Sequence, residues 1–248
     1  MVKYKFKESL IEGLIKARPN RFLMDVELEG KIIRCHCPTT GRIGNLVFEN
    51  VPCLLLRVEN SKRKTPYSVE AISLDSAGKK IKSWIGINQT KMNRYVEFFL
   101  NQNQFSKMVS GDEIQREKPL GNSRIDFLVK EQKANRETYL EVKMPLITLP
   151  IKQNNVLRTH SKFDSFDRLI KHFTDLANFL KKNNRAIVLL CYMYDAKAFQ
   201  RPVRDDTNSK ILKAAQNAQA KGLENWQANF RITPKYVELL NYFELNLF

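Results

Sequence analysis

The 248-residue chain carries 42 Lys and Arg residues against 26 Asp and Glu residues, which gives a net charge of +16. An excess of this size indicates a polyanionic partner, either nucleic acid or an anionic membrane surface. Residues 1–87 hold 16 basic and 9 acidic residues, and residues 88–248 hold 26 and 17. Because both parts are basic, the distribution favours a polyanion that contacts both over one bound by a single tail. The alternative is a charge that serves solubility alone.

The sequence also bears on the compartment. The basic stretch 1–7 is not followed by the apolar segment of a signal peptide. The longest apolar run, Ala186–Tyr194, is well short of the ~20 residues that a membrane helix needs. We therefore expect a cytoplasmic protein that does not insert into a membrane, and we expect its four cysteines to be free thiols.

The first part of the chain predicts a small barrel. Alternating or continuous apolar runs predict short strands separated by turn residues. The predicted strands cover 2–6, 21–29, 32–37, 51–59, 67–74 and 81–87. Residues 9–16 predict a turn or a brief helix, and the spacing of the remaining strands favours an OB-like barrel over 1–87.

From residue 88 onward, strands and helices alternate. Helices are predicted at 90–101, 165–182 and from 205–207 to Gly222, with strands at 114–117, 123–129, 139–143, 186–194 and 226–232. Pro234 is predicted to begin a tail. Strand, helix and strand in succession favour an α/β domain with right-handed crossovers. The fold class is therefore mixed α+β, with an OB-like barrel followed by an α/β domain that has a mixed central sheet.

A predicted hairpin carries the strongest chemical pattern. Side chains two apart on a strand share a face, so Asp126 and Glu141 meet if their strands pair at these residues, and Lys143 lies beside them. Two carboxylates with room for water suit Mg²⁺ or Mn²⁺. A neighbouring lysine can orient a water or offset charge on a phosphate. The plainer alternative is an exposed hairpin with charges on its solvent face.

The hairpin segments S-R-I-D-F-L (123–128) and Y-L-E-V-K (139–143) resemble the sugar fermentation stimulation protein family. Further segments resemble the same family in order: 21–28, 35–41, 60–67, 84–90, 185–190 and 195–199. The resemblance implies an OB-like barrel, a PD-(D/E)XK restriction-endonuclease-like domain, and DNA binding linked to sugar-utilisation genes. It also implies that Glu97, on the helix before the first core strand of that domain, supports the metal site.

Several basic residues are candidates for contact with DNA. Lys62, Arg63 and Lys64 form a dense cluster in a predicted barrel loop, where OB folds contact nucleic-acid backbones. Arg124 shares a strand face with Asp126. The remaining candidates are Arg42 and Lys162.

The chain departs from the family pattern at Thr39, at Met144–Pro145 and at Ser161–Ser165. At the last of these the family's glycine, glutamine and histidine are absent, which predicts impaired catalysis. His160 and Lys162 are candidates to replace them in part.

Three functional hypotheses follow. The first is a metal-dependent DNA nuclease that uses Asp126, Glu141 and Lys143. The second is a DNA-binding regulator of sugar (maltose-type) metabolism genes that does not cleave. The third, from another class, is an RNA-binding or membrane-surface protein. A homodimer is left open as an assembly.

Overall fold

The structure, a computed structural model, describes residues 1–44, 46–59, 64–121, 123–146, 149, 166–180, 183–200 and 209–247, with only the backbone of 166–170. The strands are β1 (Lys3–Lys5), β2 (Ile11–Asn20), β3 (Leu23–Leu28), β4 (Lys31–His36), β5 (Val51–Arg57), β6 (Tyr67–Ile72), β7 (Ile85–Gly86), β8 (Glu113–Leu120), β9 (Ser123–Glu131), β10 (Arg136–Lys143), β11 (Asn184–Tyr192), β12 (Glu224–Ile232) and β13 (Tyr236–Glu244). The helices are α1 (Met92–Asn101), α2 (Phe166–Asn178) and α3 (Ser209–Ala220), with a 3-10 turn at Gln89–Lys91 before α1. No helix in these ranges is long and apolar enough to cross a membrane.

The smaller sheet closes into the predicted OB-like barrel. Its strand order is β4-β3-β2-β5-β6-β7, and a parallel pairing of β4 with β6, at His36 and Ser68, closes the ring. The turn or helix predicted at 9–16 is wrong, because β2 pairs there with both β3 and β5. Gly13 shows how close that packing is, since a Cβ atom there would lie 2.7 Å from the Val26 side chain. Pairing on both sides thus overrides the weak local pattern.

The larger sheet has seven strands in the order β1-β13-β12-β11-β10-β9-β8. β10, β11 and β12 run parallel, and the other neighbours are antiparallel, which confirms the mixed sheet. On β11, Ala186 and Val188 pack in the core beneath α2 and α3, whereas Ile187 and Leu189 belong to the core that includes the barrel and α1. The sheet therefore separates two apolar layers.

The predicted tail after Pro234 is instead a strand. β13 pairs along β12, and a short turn at Thr233 and Tyr236 joins the two strands. Proline therefore ends β12 without ending the sheet. β13 also pairs with β1, at Lys3 and Glu238, so the first strand lies in the larger sheet although the expected division after residue 87 assigns it to the barrel.

Several hydrogen bonds join the barrel side of the molecule to the larger sheet. The Gly86 amide donates to the Met193 carbonyl at 3.2 Å, and the Gly44 amide donates to the Leu146 carbonyl at 2.6 Å. Gln89 Nε2 donates to the Met144 carbonyl at 2.8 Å. Two of these acceptors lie just beyond Lys143 at the end of β10. The barrel is consequently fixed against the strand that carries the candidate site.

Candidate active site

The paired strands β9 and β10 bring the two predicted carboxylates together. Tyr139 lies opposite Leu128 and Leu140 opposite Phe127, and continuing this register places Glu141 opposite Asp126. The Val142 amide then donates to Asp126 Oδ2 at 2.8 Å instead of extending the ladder. A side-chain carboxylate is thus held in place by the neighbouring strand's backbone.

Asp126 is half-buried and both of its oxygens accept a hydrogen bond. The second donor is Asn93 Nδ2, which lies 2.7 Å from Oδ1 and comes from α1. Burial, and then the negative charge of Glu141, raise the pKa of the Asp126 carboxyl above its ordinary value. The two amide donors oppose that rise without cancelling it. Asp126 therefore carries a negative charge that the chain only partly compensates.

Glu141 is 2% exposed and its two oxygens have different surroundings. Oε1 lies 2.5 Å from both Lys143 Nζ and His172 Nδ1. Oε2 is buried and has no hydrogen-bond donor among the described residues. Burial acts to raise the pKa of the Glu141 carboxyl, but His172 and Lys143 together outweigh it and lower that pKa. The ionised form of Glu141 is therefore favoured, and its Oε2 is the oxygen without a donor among the described residues.

His172 reaches this cluster because α2 is fixed over the sheet. Phe173 and Leu176 bury the helix against the core, and Ser123 at the start of β9 donates a hydrogen bond to Asp175. His172 itself is 5% exposed. Its Nδ1 lies 2.5 Å from Glu141 Oε1, and the ring donates in this contact in the tautomer that carries the proton on Nδ1.

Glu97, expected beside the metal, is not part of the cluster. Its carboxylate pairs with Arg116 Nη1 at 3.3 Å on the neighbouring strand β8. Within the described ranges, no three His, Cys, Asp or Glu side chains converge as metal ligands, so Glu97 does not join Asp126 and Glu141. The side chain that α1 sends to the cluster is Asn93, one helical turn earlier.

The structure describes three of the six predicted DNA-binding residues. Arg124 is exposed and pairs with Glu117 at 3.1 Å. Lys64 is exposed, and Arg42 lines a groove on the barrel. The other candidates, Lys62, Arg63 and Lys162, lie outside the described residues, as do His160 and Ser161–Ser165.

The sequence does not predict two members of the cluster, Asn93 and His172. The family resemblance implies a charged residue, Glu97, on α1, and it places the family's histidine at Ser161–Ser165, where this chain has none. One signal is available: His172 lies three residues after Leu169 and four before Leu176, on the apolar face of the helix predicted at 165–182. A polar side chain on such a face needs a partner.

The donor set fits a hard divalent cation. Asp126 and Glu141 are adjacent carboxylates, and the orphaned Glu141 Oε2 is a buried acceptor that a cation could satisfy. Carboxylate oxygens, completed by water and phosphate oxygens, are the ligands that Mg²⁺ prefers in proteins. These two carboxylates would supply the protein ligands, and Lys143 and His172 would orient one of them.

Comparison with known proteins agrees with this architecture. The profile of the SfsA N-terminal OB domain matches residues 17–87, and that of the sugar fermentation stimulation protein RE domain matches residues 90–236. A Clostridium perfringens (strain 13 / Type A) sugar fermentation stimulation protein homolog is 31% identical over 98% of this chain and 100% of its own length. A Saccharophagus degradans homolog is 32% identical over 77% of this chain and 78% of its own.

Among solved structures, a Pyrococcus furiosus SfsA in complex with Ca²⁺ has the same fold. The TM-score is 0.74 at 18% sequence identity, and the match covers 100% of this chain and 99% of that one. The two matched domains and the full-length relatives agree with the resemblance seen at 123–128 and 139–143. The chain belongs to the sugar fermentation stimulation protein family.

Proposed function

We propose that this protein binds DNA and hydrolyses phosphodiester bonds with one Mg²⁺ or Mn²⁺ held by Asp126 and Glu141. The observation that carries the proposal is the orphaned Oε2 of Glu141 beside a second carboxylate. A buried acceptor without a donor costs about 1–3 kcal/mol, and adjacent like charges add to that cost. A divalent cation between the two carboxylates would remove both penalties.

Lys143 and His172 have defined tasks in this proposal. Both bind Glu141 Oε1, so they hold the carboxylate with Oε2 directed away from them. An ammonium group has three donors, so Lys143 can keep this contact and still donate to a water or a phosphate oxygen. Its side chain is 29% exposed, which leaves it accessible to substrate. When bound, the divalent ion supplies Lewis-acid polarisation of the phosphate and a more acidic water.

DNA as the polyanion is supported by the charge of +16, which is spread over both parts of the chain. The family's RE domain and the Ca²⁺ complex of the Pyrococcus furiosus SfsA make DNA and a divalent ion the first ligands to test. Binding of this kind is expected to weaken steeply with salt, because each neutralised phosphate releases counterions.

A second candidate is a DNA-binding regulator of sugar-metabolism genes that does not cleave. Both Asp126 oxygens already accept hydrogen bonds, which leaves only their remaining lone pairs for a metal. In this alternative the fold and the basic surface are retained while the cluster turns over no substrate.

Metal binding and cleavage separate the candidates. We expect wild-type protein to bind Mn²⁺ in calorimetry, and we expect Asp126→Asn and Glu141→Gln to lose that binding because each removes a ligand charge. Glu131→Gln, at the far end of the same hairpin, is the matched control and should bind as wild type does. Single- and double-stranded DNA are then incubated with Mg²⁺ or Mn²⁺.

Cleavage by wild type that disappears in both site variants supports the nuclease. Metal and DNA binding without cleavage of either substrate supports the regulator. Mn²⁺ binding that survives both substitutions contradicts the metal site.

A further inference from the structure

A groove of about 450 Å³ on the barrel lies outside the carboxylate cluster. Its lining residues are Lys16, Ala17, Arg18, Arg42, Ile43, Gly44, Leu46, Val47, Phe48 and Glu49. Three cations face one carboxylate among them, so the groove favours an anionic ligand. Arg42 is half-buried in the groove wall and has no ion-pair partner among the described residues.

Arg18 holds the groove in shape. Its Nη2 donates to the carbonyls of Thr39 and Gly41 at 2.8 and 3.1 Å, and it lies 3.4 Å from the Arg21 carbonyl. One guanidinium therefore ties the β2–β3 turn to the segment that follows β4. Thr39 is 1% exposed, and its hydroxyl donates to the Ile87 carbonyl. The cationic wall is thereby fixed before any ligand binds.

Two aromatic rings, Phe48 and Phe22, lie next to arginine side chains in this region. The Arg18 guanidinium lies over the Phe48 ring at 5.5 Å, and that of Arg21 lies over the Phe22 ring at 4.7 Å. Phe22 remains 45% exposed at the turn that Arg18 contacts. Exposed aromatic rings beside cations are the surfaces on which unpaired bases stack. The combination of phosphate-binding and stacking groups matches a single strand of nucleic acid.

The groove adjoins the strand that carries the cluster. The Gly44 amide, in the groove wall, donates to the carbonyl of Leu146 at 2.6 Å. Leu146 follows Lys143 by three residues, a span of at most about 10 Å. At ~3.4 Å per stacked base, about three nucleotides cover that distance. A strand lying in the groove could therefore extend to Asp126 and Glu141.

We propose that this groove binds single-stranded DNA, with a phosphate on Arg42 and a base on Phe22 at the adjoining β2–β3 turn, and that it directs the strand to the carboxylate cluster. The part of this proposal in which the strand reaches the carboxylate cluster rests on the function proposed above, whereas the binding of DNA in the groove does not. Duplex DNA keeps its bases stacked within the helix, so it cannot use the Phe22 ring in the same way.

The test measures binding of a fluorescent 12-nucleotide oligo(dT) by anisotropy in EDTA. Phe22→Leu removes the ring while remaining apolar, and we expect it to weaken binding at least about fivefold. Its control is Ile32→Ala, which changes a barrel side chain that is 59% exposed. Arg42→Gln should flatten the slope of log affinity against log salt by ~0.7, whereas Arg136→Gln, on the far hairpin turn, should not.

A duplex of the same length should bind more weakly and be indifferent to Phe22→Leu. Unchanged affinity of both groove variants, losses matched by the controls, or an equal dependence of duplex binding on Phe22 would overturn the proposal. Unfolding midpoints equal to wild type show that the variants are folded.

The two proposals are separated by their measurements, because oligo(dT) binding is measured in EDTA and Mn²⁺ binding is measured without DNA. Absence of Mn²⁺ binding together with a Phe22→Leu defect would reject the metal site and keep the groove. If wild type cleaves DNA in a metal-dependent reaction while both groove variants bind oligo(dT) as wild type does, the groove proposal is rejected and the metal site is kept.

Discussion

Two buried glutamates, one in each sheet, are treated differently by the fold. Glu70 on β6 is 1% exposed and Glu141 on β10 is 2% exposed. Asn88 Nδ2 donates to both oxygens of Glu70 at 3.0 Å, and Lys91 Nζ adds an ion pair at 2.9 Å. Glu141 receives Lys143 and His172 on Oε1, and its Oε2 has no donor among the residues that the structure describes.

Under the proposed function, the difference separates a carboxylate that serves the fold from one that would bind a cation. A buried charge is tolerated when the chain itself satisfies it, as at Glu70, whose partners join the barrel to the start of α1. Among the described residues, hydrogen-bond donors reach one of the two oxygens of Glu141, and the pKa of its neighbour Asp126 is raised. A partly compensated pair of this kind is expected where an external cation completes the site.

The largest expected effect is on the satisfied glutamate. Glu70→Ala leaves Lys91 and Asn88 without their acceptor in a buried position, and we expect a loss of about 3–5 kcal/mol in the free energy of unfolding. Urea denaturation measures it. Glu8→Ala, an exposed change near the N-terminus, should stay within about 0.5 kcal/mol of wild type. A similar result for the two variants would show that Glu70 does not join the barrel to α1.

The contact between His172 and Glu141 should act on metal affinity. Partners of a metal-binding carboxylate commonly contribute 10- to 100-fold to affinity, so His172→Ala should weaken Mn²⁺ binding by about that factor. Calorimetry measures it. Asp175→Asn, on the same helix but bonded to Ser123, is the control and should bind Mn²⁺ as wild type does. If both variants lose affinity equally, the effect belongs to the placement of α2 and not to His172.

The pKa of Asp126 predicts a pH-dependent stability effect in metal-free protein. Because the pKa is raised in the folded state, the protonated carboxyl is more favourable to the fold than the ionised one. This contribution to stability is fully present below the ordinary pKa near 3.9 and is lost as pH rises through the raised pKa. Asp126→Asn cannot ionise, and Asn93 can rotate its amide to accept from the new amide group. We expect this variant to be more stable than wild type at pH 7, with the difference vanishing below about pH 4.

Glu141→Gln should show the opposite sign. The pKa of Glu141 is lowered, so its stabilising contribution is present above the ordinary value near 4.3 and is lost as pH falls through the lowered value. The variant should therefore be less stable than wild type at pH 7. Urea denaturation in EDTA at a series of pH values measures both variants. The same sign for both would contradict the division of roles between these carboxylates.

The hairpin of β9 and β10 could be predicted because its pattern is local. Apolar alternation predicts both strands, and the register then places Asp126 near Glu141. β2 and β13 could not be predicted in this way. Each lies between two partners, β2 between β3 and β5, and β13 between β12 and β1, so distant pairing decides their structure.

The remainder of the cluster depends on how the helices cross the sheet. Asn93 and His172 are 33 and 31 residues distant in sequence from the carboxylates that they contact. No periodicity in either helix specifies those contacts. They follow from tertiary packing, such as the burial of Phe173 and the bond from Ser123 to Asp175.

The smallest expected effect concerns Glu97, the metal-supporting glutamate that the family resemblance implies. Its side chain is 32% exposed and pairs with Arg116, and such exposed pairs contribute about 0–1 kcal/mol. Glu97→Gln should therefore leave Mn²⁺ affinity within about twofold of wild type. Asn93→Ala, one turn earlier on α1, removes a donor to Asp126 and should lower Mn²⁺ affinity by more. Calorimetry on the two variants side by side decides the matter: a larger loss in Glu97→Gln would mean that the metal-bound protein brings Glu97 to the ion, and the site would then hold three carboxylates instead of two.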